Sequence, residues 1–337
     1  MRFGVAIAAA VLGASCRTAP TGPPRSRPAG PVKALAAHAG ATALWHDGDL
    51  WVSFLGNFRQ PGEVRLSRGD RPIQRSFVGQ VAGVHAGRAI VVVSAGKAIE
   101  IQSIGATDAP IVFGRVPQAE RDLEYGVTAS GEAIIVDSGP RDAARLVRIV
   151  GPGGARAFPI VKPGAVVIAL SAAPNAPRLA LLLDEHSIGK STRIAEIDTQ
   201  TGRLLSETPL ADDARASWIG VASDGAVWLK YHGYFARNDG RGERTLLQGI
   251  APDARNIVIA PDGSAIAYVV PSGDSDMGFQ TSPACDVYYT RRDDTSPLHG
   301  EALSYPTRCY GGLGLAIVDG TLWAAPPLGV AAQKTVQ

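Results

Sequence analysis

The sequence predicts an all-β fold built from one repeated hairpin. Seven segments each contain an apolar run, a two-residue turn and a second apolar run, with turns such as Asp224 with Gly225 and Asp262 with Gly263. Asp and Gly tolerate the positive φ that tight hairpin turns need. Aromatic residues make up only 6% of the chain, while Gly and Pro are plentiful at 39 and 24. This composition is typical of short strands joined by turns, so we expect little helix.

The spacing of the hairpins indicates a ring of blades. The hairpins recur roughly every 40 to 50 residues, the period of a propeller blade, and third and fourth apolar runs follow most of them. The second strands are almost continuously apolar, as in 89–93 and 179–183, which is typical of strands covered on both faces. We therefore predict a β-propeller with seven blades, six or eight remaining open. The approximate blades are 42–78, 80–115, 122–161, 165–210, 214–249, 254–299 and 302–330.

The last blade needs a strand from elsewhere to complete it. It has two clear strands, 314–318 and 321–325, and its outer strand comes either from 33–38 or from 328–336. We favour 33–38, because a strand from the N-terminal side clasps the ends of the ring together and removes exposed sheet edges. In a propeller the innermost strand runs from the top face to the bottom face. The Asp-Gly turns are therefore expected at the bottom, and the loops between second and third strands at the top.

One blade carries a family resemblance. The segment APDGSAIAYVV followed by DVYYTRRD, in the blade at 254–299, resembles the repeat of TolB-like (WD-type) propellers, in which a Pro-Asp-Gly turn precedes an apolar strand. The segment ASDGAVWLKYH resembles it less closely. The resemblance implies a propeller fold and, because these repeats serve many functions, no particular activity.

The first 15 residues have the pattern of an export signal. Arg2 supplies a positive charge, residues 3–12 are apolar and residues 13–15 are small. VLGASC resembles the bacterial lipobox, which implies cleavage before Cys16 and lipidation of that residue, although ordinary cleavage with Cys16 incidental is an open alternative. Residues 16–31 contain five prolines and two glycines and predict an extended linker. We thus expect a signal peptide at 1–15, an anchor and linker at 16–31, and the propeller domain at 32–337.

These features predict an exported protein of the bacterial cell envelope. The lipid would hold it at the outer membrane or the periplasmic face, and otherwise it would be periplasmic or secreted. In an oxidising compartment Cys285 and Cys309 are expected to form a disulfide bond, which closes a loop at the top of the ring. The net charge of +2 is scattered, with no basic stripe, so we expect no nucleic-acid partner.

Candidate binding residues lie in the predicted top loops. Arginine and aromatic residues in exposed loops are common interface anchors. The candidates are Asn57, Phe58, Arg59, Arg141, Lys190 and Tyr234. Asp274 and Asp276 alternate in another top loop and are weak metal candidates, because two carboxylates are too few for a calcium site. We expect no cofactor.

Two histidines are weak catalytic candidates. His186 and His232 both follow second strands and project toward the top. This placement resembles the arrangement in propeller lactonases and quinoprotein dehydrogenases. Those enzymes gather histidine and carboxylate groups around the mouth of the channel. The sequence favours a binding or scaffold module that meets an envelope protein or glycan through its top loops. The alternative is a propeller hydrolase, lactonase or dehydrogenase with its site at the channel mouth.

Overall fold

The computed structural model describes most of the predicted domain. It covers residues 27–28, 32–56, 60–69, 71–117, 123–137, 146–159, 165–184, 193–210, 216–239, 242–272, 284–292, 298–299 and 313–326. Across these ranges the structure is all-β apart from one 3-10 turn, Ala36–His38. None of the described residues forms a helix long and apolar enough to cross a membrane.

The described strands group into seven consecutive units. Two short strands come first, β1 (Arg27–Pro28) and β2 (Lys33–Ala34). Units 1 and 2 consist of β3 (Ala43–Asp47), β4 (Leu50–Leu55), β5 (Gly62–Arg68), β6 (Arg75–His85), β7 (Arg88–Ala95), β8 (Ala98–Ile104) and β9 (Ile111–Pro117). Unit 3 is β10 (Leu123–Val127), β11 (Ala133–Asp137), β12 (Leu146–Gly151) and β13 (Gly154–Pro159). Unit 4 is β14 (Val166–Ala172), β15 (Arg178–Asp184), β16 (Arg193–Asp198) and β17 (Leu204–Pro209).

The remaining strands form units 5 to 7. Unit 5 is β18 (Trp218–Val221), β19 (Val227–Tyr231), β20 (Tyr234–Asn238) and β21 (Glu243–Gln248). Unit 6 is β22 (Arg255–Ile259), β23 (Ala265–Ser272), β24 (Ala284–Arg291) and β25 (Leu298–His299), and unit 7 contains β26 (Leu315–Val318) and β27 (Thr321–Ala324). Within each unit consecutive strands pair antiparallel, which is the meander of a propeller blade.

Apolar layers lie between the units and join them into a ring. Each of seven buried clusters contains side chains from two neighbouring units, and one cluster joins Leu44 and Trp51 of unit 1 to Ala316 and Ala325 of unit 7. The second strands are buried on both faces, as the apolar runs predicted; residues 179–183 are at most 1% exposed. The predicted all-β propeller is confirmed. Its number of blades stays a prediction, supported by the seven units and seven layers.

Units 1 and 2 share one long strand. Residues 75–79 of β6 pair with β5 in unit 1, and residues 80–85 pair with β7 in unit 2. The sequence predicted separate blades ending at 78 and beginning at 80, and the strand passes this boundary without a loop. Glycines allow the close contacts along this strand: a Cβ at Gly79 would lie 3.0 Å from the Val92 carbonyl oxygen, and one at Gly83 would lie 2.8 Å from Val127 Cγ2.

The N-terminal clasp is present, with a shorter strand than the sequence predicted. β2 pairs with β27 in parallel, and the Leu35 N–H then donates to the Ala324 carbonyl at 2.9 Å. Only Lys33–Ala34 is strand, because the chain turns at Ala36–His38 to enter unit 1. The parallel direction has a topological cause. β2 must finish at the top face, where the first strand of unit 1 begins, so it runs in the same direction as β27.

The strand order assigns the connections to two faces. Turns between first and second strands, and between third and fourth strands, lie at the bottom face. Connections between second and third strands, and between units, lie at the top face. The Asp-Gly turns are therefore at the bottom face, as predicted from the repeat.

Candidate functional site

The bottom face is linked from unit to unit. The pairs in ring order are Asp47 Oδ2 with the Gly87 N–H at 2.8 Å, the His85 ring against Gly131, and Arg156 Nε with the Thr199 carbonyl at 3.1 Å. They continue with Arg178 Nη1 and the Gly225 carbonyl at 3.0 Å, the Ser223 N–H and the Pro261 carbonyl at 2.8 Å, Tyr289 Oη and the Gly320 carbonyl at 3.1 Å, and the Trp323 and Trp51 rings at 5.1 Å. Every pair of neighbouring units is thus joined near the turns that define the repeat.

The aspartate carboxylates of two Asp-Gly turns accept hydrogen bonds from backbone N–H groups of the same turn. Asp224 Oδ1 accepts from the Ala226 N–H at 3.0 Å, and Asp262 Oδ1 accepts from the Ser264 N–H at 2.9 Å. Hydrogen bonds to the ionised carboxylate, together with nearby arginines, hold the pKa of Asp224 and Asp262 below the ordinary range, against the opposing effect of burial. These acidic groups therefore serve the turns, as the structural interpretation of the repeat predicted.

The top face of unit 5 carries an aromatic hairpin. The rings of Tyr231 and Tyr234 stack with centroids 4.6 Å apart, and the Tyr231 hydroxyl donates to Glu243 Oε2 at 2.6 Å. Burial and the Glu243 carboxylate raise the pKa of Tyr231, so its hydroxyl stays protonated and remains a donor. His232 lies exposed on the turn between these tyrosines, and Gly233 supplies the positive φ of +96°. The hairpin presents an imidazole on a rigid aromatic base.

A lysine is buried behind this hairpin. Lys230 is 5% exposed, and its ammonium donates to the Pro252 carbonyl at 2.6 Å. Burial lowers the pKa of this lysine. Its hydrogen bond ties the hairpin of unit 5 to the connection that leads into unit 6. The sequence analysis missed Lys230, whose only signal is a charged residue within the apolar strand VWLKY.

Thr42 and Asn256, near the top ends of two first strands, bond to backbone groups. Asn256 Nδ2 donates to the Thr42 carbonyl at 2.5 Å, and Thr42 Oγ1 donates to the carbonyls of Phe54 and Gly56 at 3.1 and 3.0 Å. Asn256 adopts a φ of +52°, so this link from unit 6 to unit 1 is made by a backbone geometry that L-residues seldom adopt. His232 does not belong to this group, because it lies between a second and a third strand. Within the described ranges, no cluster of His, Cys, Asp or Glu could hold a metal ion.

Most predicted site residues lie outside the described ranges. These are Cys16, Asn57, Phe58, Arg59, Arg141, His186, Lys190, Asp274, Asp276 and Cys309. Their predicted roles therefore stay predictions. Cys285 is the second residue of β24, at the top end of that strand, which is the position the predicted disulfide requires. Tyr234 and His232 lie together in one hairpin.

A buried histidine fastens the clasp. His38 is 0% exposed; its Nδ1 lies 2.6 Å from Ser53 Oγ, and its Nε2 lies 2.8 Å from Ser67 Oγ. Burial, with a smaller effect from the Arg65 guanidinium, lowers its pKa to about 4. The imidazole is therefore neutral near pH 7. No local pattern predicts this role, because His38 follows the linker in an alanine-rich stretch.

Comparisons with known proteins support the fold alone. The chain is similar to Raptor from Chaetomium thermophilum, with a TM-score of 0.56, 10% identity, and coverage of 86% of this chain and 26% of Raptor. It is similar to a prolyl endopeptidase, with a TM-score of 0.52, 15% identity and coverage of 77% and 41%. It thus spans about a quarter and two fifths of these proteins. YCF48, in a structure with a D1 peptide bound, has a TM-score of 0.48, 10% identity and coverage of 82% and 89%.

No protein-family model and no curated protein matches the amino-acid sequence. Raptor and the prolyl endopeptidase are 10% and 15% identical to this chain, so their likeness to it shows the fold alone.

Proposed function

We propose that this chain is an exported, lipid-anchored, seven-bladed propeller of a bacterial envelope that binds a protein partner through its top face. The observation that carries the proposal is the contrast between the faces. The turns between first and second strands, at the bottom, are short, and bottom turns are bonded to neighbouring units. The three longest intervals between strands of one unit follow β11, β15 and β23, and the strand ends on either side of them lie at the top face. A ring whose longest intervals open on one face suits recognition there.

The direction of the N-terminal strand supports this assignment. β1 and β2 pair in parallel with β25 and β27, so both run from the bottom face toward the top, and we expect the segment that begins at Cys16 to approach the ring from the bottom side. The proposed tether then attaches on the side opposite the proposed binding face. A partner approaching from beyond the membrane meets the top loops.

Site-specific photo-crosslinking can test which face binds. A photoreactive amino acid replaces His232, exposed at the top, or Gln200, exposed on a bottom turn, as the matched control. In intact cells we expect a covalent adduct with a protein from position 232 and none from position 200. Adducts from position 200 alone would refute the proposal. It would also be refuted if position 232 gave no adduct and the protein instead pulled down purified envelope glycan.

The anchor and the disulfide have separate tests. Replacing Cys16 by Ser should move the protein from the membrane fraction to the soluble fraction, because the lipid attachment point is lost. Peptide mapping without reductant should show Cys285 joined to Cys309. A wild-type protein already in the soluble fraction would exclude the anchor, and free thiols at both cysteines would exclude the bridge.

A further inference from the structure

A small cavity between units 5 and 6 contains two buried polar side chains. Its walls are Trp228, Phe235, Leu247, Ile266, Thr290, Arg291 and Arg292. Trp228 is 1% exposed and Thr290 is 4% exposed. In the part of the chain that the structure describes, neither the Trp228 indole N–H nor the Thr290 hydroxyl has a hydrogen-bond partner. Both groups lie near the bottom ends of their strands, on facing units.

Two such groups in one cavity require an explanation. A buried donor without an acceptor loses its hydration and gains nothing in return, so native proteins seldom leave one. An indole N–H can only donate, while a threonine hydroxyl can donate and accept. A group that accepts from Trp228 and bonds to Thr290 must therefore contain an oxygen acceptor and fit between the two.

The size of the cavity selects water. The cavity has room for about one water molecule. An ion pair network at the bottom face joins the same two units: Asp224 Oδ2 lies 2.5 Å from Arg237 Nη2 and 3.8 Å from Arg292 Nη1. A peptide or organic ligand would not fit this volume.

We propose that this cavity binds one ordered water molecule, which accepts the Trp228 N–H and bonds to the Thr290 hydroxyl. The water joins the facing walls of units 5 and 6, where apolar side chains such as Phe235 and Ile266 also pack together. Arg237 lies opposite Trp228 in the paired strands, and its buried Nε is a further donor without a described partner. The site is independent of any ligand on the top face.

The sign of one stability change tests the proposal. Thr290→Val keeps the shape of the side chain and removes its hydroxyl. If water bonds to Thr290, we expect the unfolding equilibrium constant to rise roughly fivefold, because the bound water loses a partner. If the cavity is dry, removing an unpartnered hydroxyl leaves stability equal or higher, and that result would overturn the proposal.

The water can also be observed directly. With ¹⁵N-labelled tryptophan, the Trp228 indole proton, assigned from its loss in Trp228→Phe, should show a cross-peak to long-lived water. We expect the signal to persist in the control Thr290→Ser, which keeps the hydroxyl, and to weaken in Thr290→Val. A protected indole proton with no water cross-peak, or a side chain of residues 293–297 filling the cavity in a crystal structure, would disprove the water site.

Discussion

The bottom and top faces of this ring use the same kind of residue for different purposes. Gly131, on a bottom turn, lies so close to the next unit that a Cβ there would be 2.3 Å from His85 Cδ2. Gly233, on a top turn, also has a positive φ, but a Cβ there would lie 3.9 Å from its nearest neighbour, the Ile250 carbonyl oxygen. One glycine serves contact between units, and the other serves only its own turn. At Gly131 the bottom turn thus takes part in the packing between units, whereas the top turn at Gly233 leaves room for a small side chain.

Substituting these two glycines by alanine tests the comparison most strongly. Both variants introduce a Cβ at positive φ, which costs about 1 to 2 kcal/mol. Gly131→Ala also forces the His85 ring to move, so we expect a total loss of about 4 kcal/mol. Gly233→Ala should lose only the first contribution. Urea unfolding measures both, and equal losses would contradict the distinction between the faces.

The clasp should make stability depend on pH. The pKa of His38 is about 4 in the fold and about 6.5 in the unfolded chain, so the unfolded chain binds this proton more strongly than the folded protein does as the pH falls from 7 to 4. The free energy of unfolding should therefore fall by about 3 kcal/mol over that range from this group alone. His38→Gln cannot titrate and should lack this part of the dependence. Urea titrations of both proteins at pH 7 and pH 4.5 measure it, and parallel losses would rule it out.

A bottom-face arginine should show a smaller effect. Arg156 binds Glu132 with both terminal nitrogens at 2.6 and 2.7 Å, and its Nε donates to the Thr199 carbonyl of unit 4. Arg156→Lys keeps the charge and loses this fork, so we expect a loss of about 1.5 kcal/mol in thermal or urea unfolding. A loss below about 0.3 kcal/mol would mean that this link contributes little to the ring.

The smallest expected change is on the top face. His232 is exposed and lies on a turn, so His232→Ala should alter the free energy of unfolding by less than about 0.5 kcal/mol. A larger loss would show that the top turn of unit 5 takes part in packing. This variant also serves as the stability reference for the crosslinking experiment.

The repeat allowed the fold to be predicted from the sequence. Because each turn needs positive φ and each second strand is covered on both sides, Asp-Gly pairs and runs such as 179–183 appear as local patterns. Exposed sheet edges are generally unfavourable. This general rule predicted that an N-terminal strand would clasp the ends of the ring. The continuous strand β6 could not be predicted. Its two halves pair with different units, and only the position of each half in the fold shows which unit it pairs with.

The features of the two faces likewise divide into those that the sequence determined and those that only the tertiary structure decided. The sequence alone determined that hairpins would line the bottom face and that His232 and Tyr234 would lie at the top, since turn order fixes the face. Only the tertiary structure decided that His38 meets Ser53 and Ser67, that Lys230 reaches Pro252, and that Trp228 and Thr290 line one cavity. Those contacts join segments far apart in the chain or on different units. Hydrogen bonds of this kind depend on how the units pack against each other, which no local pattern of residues records.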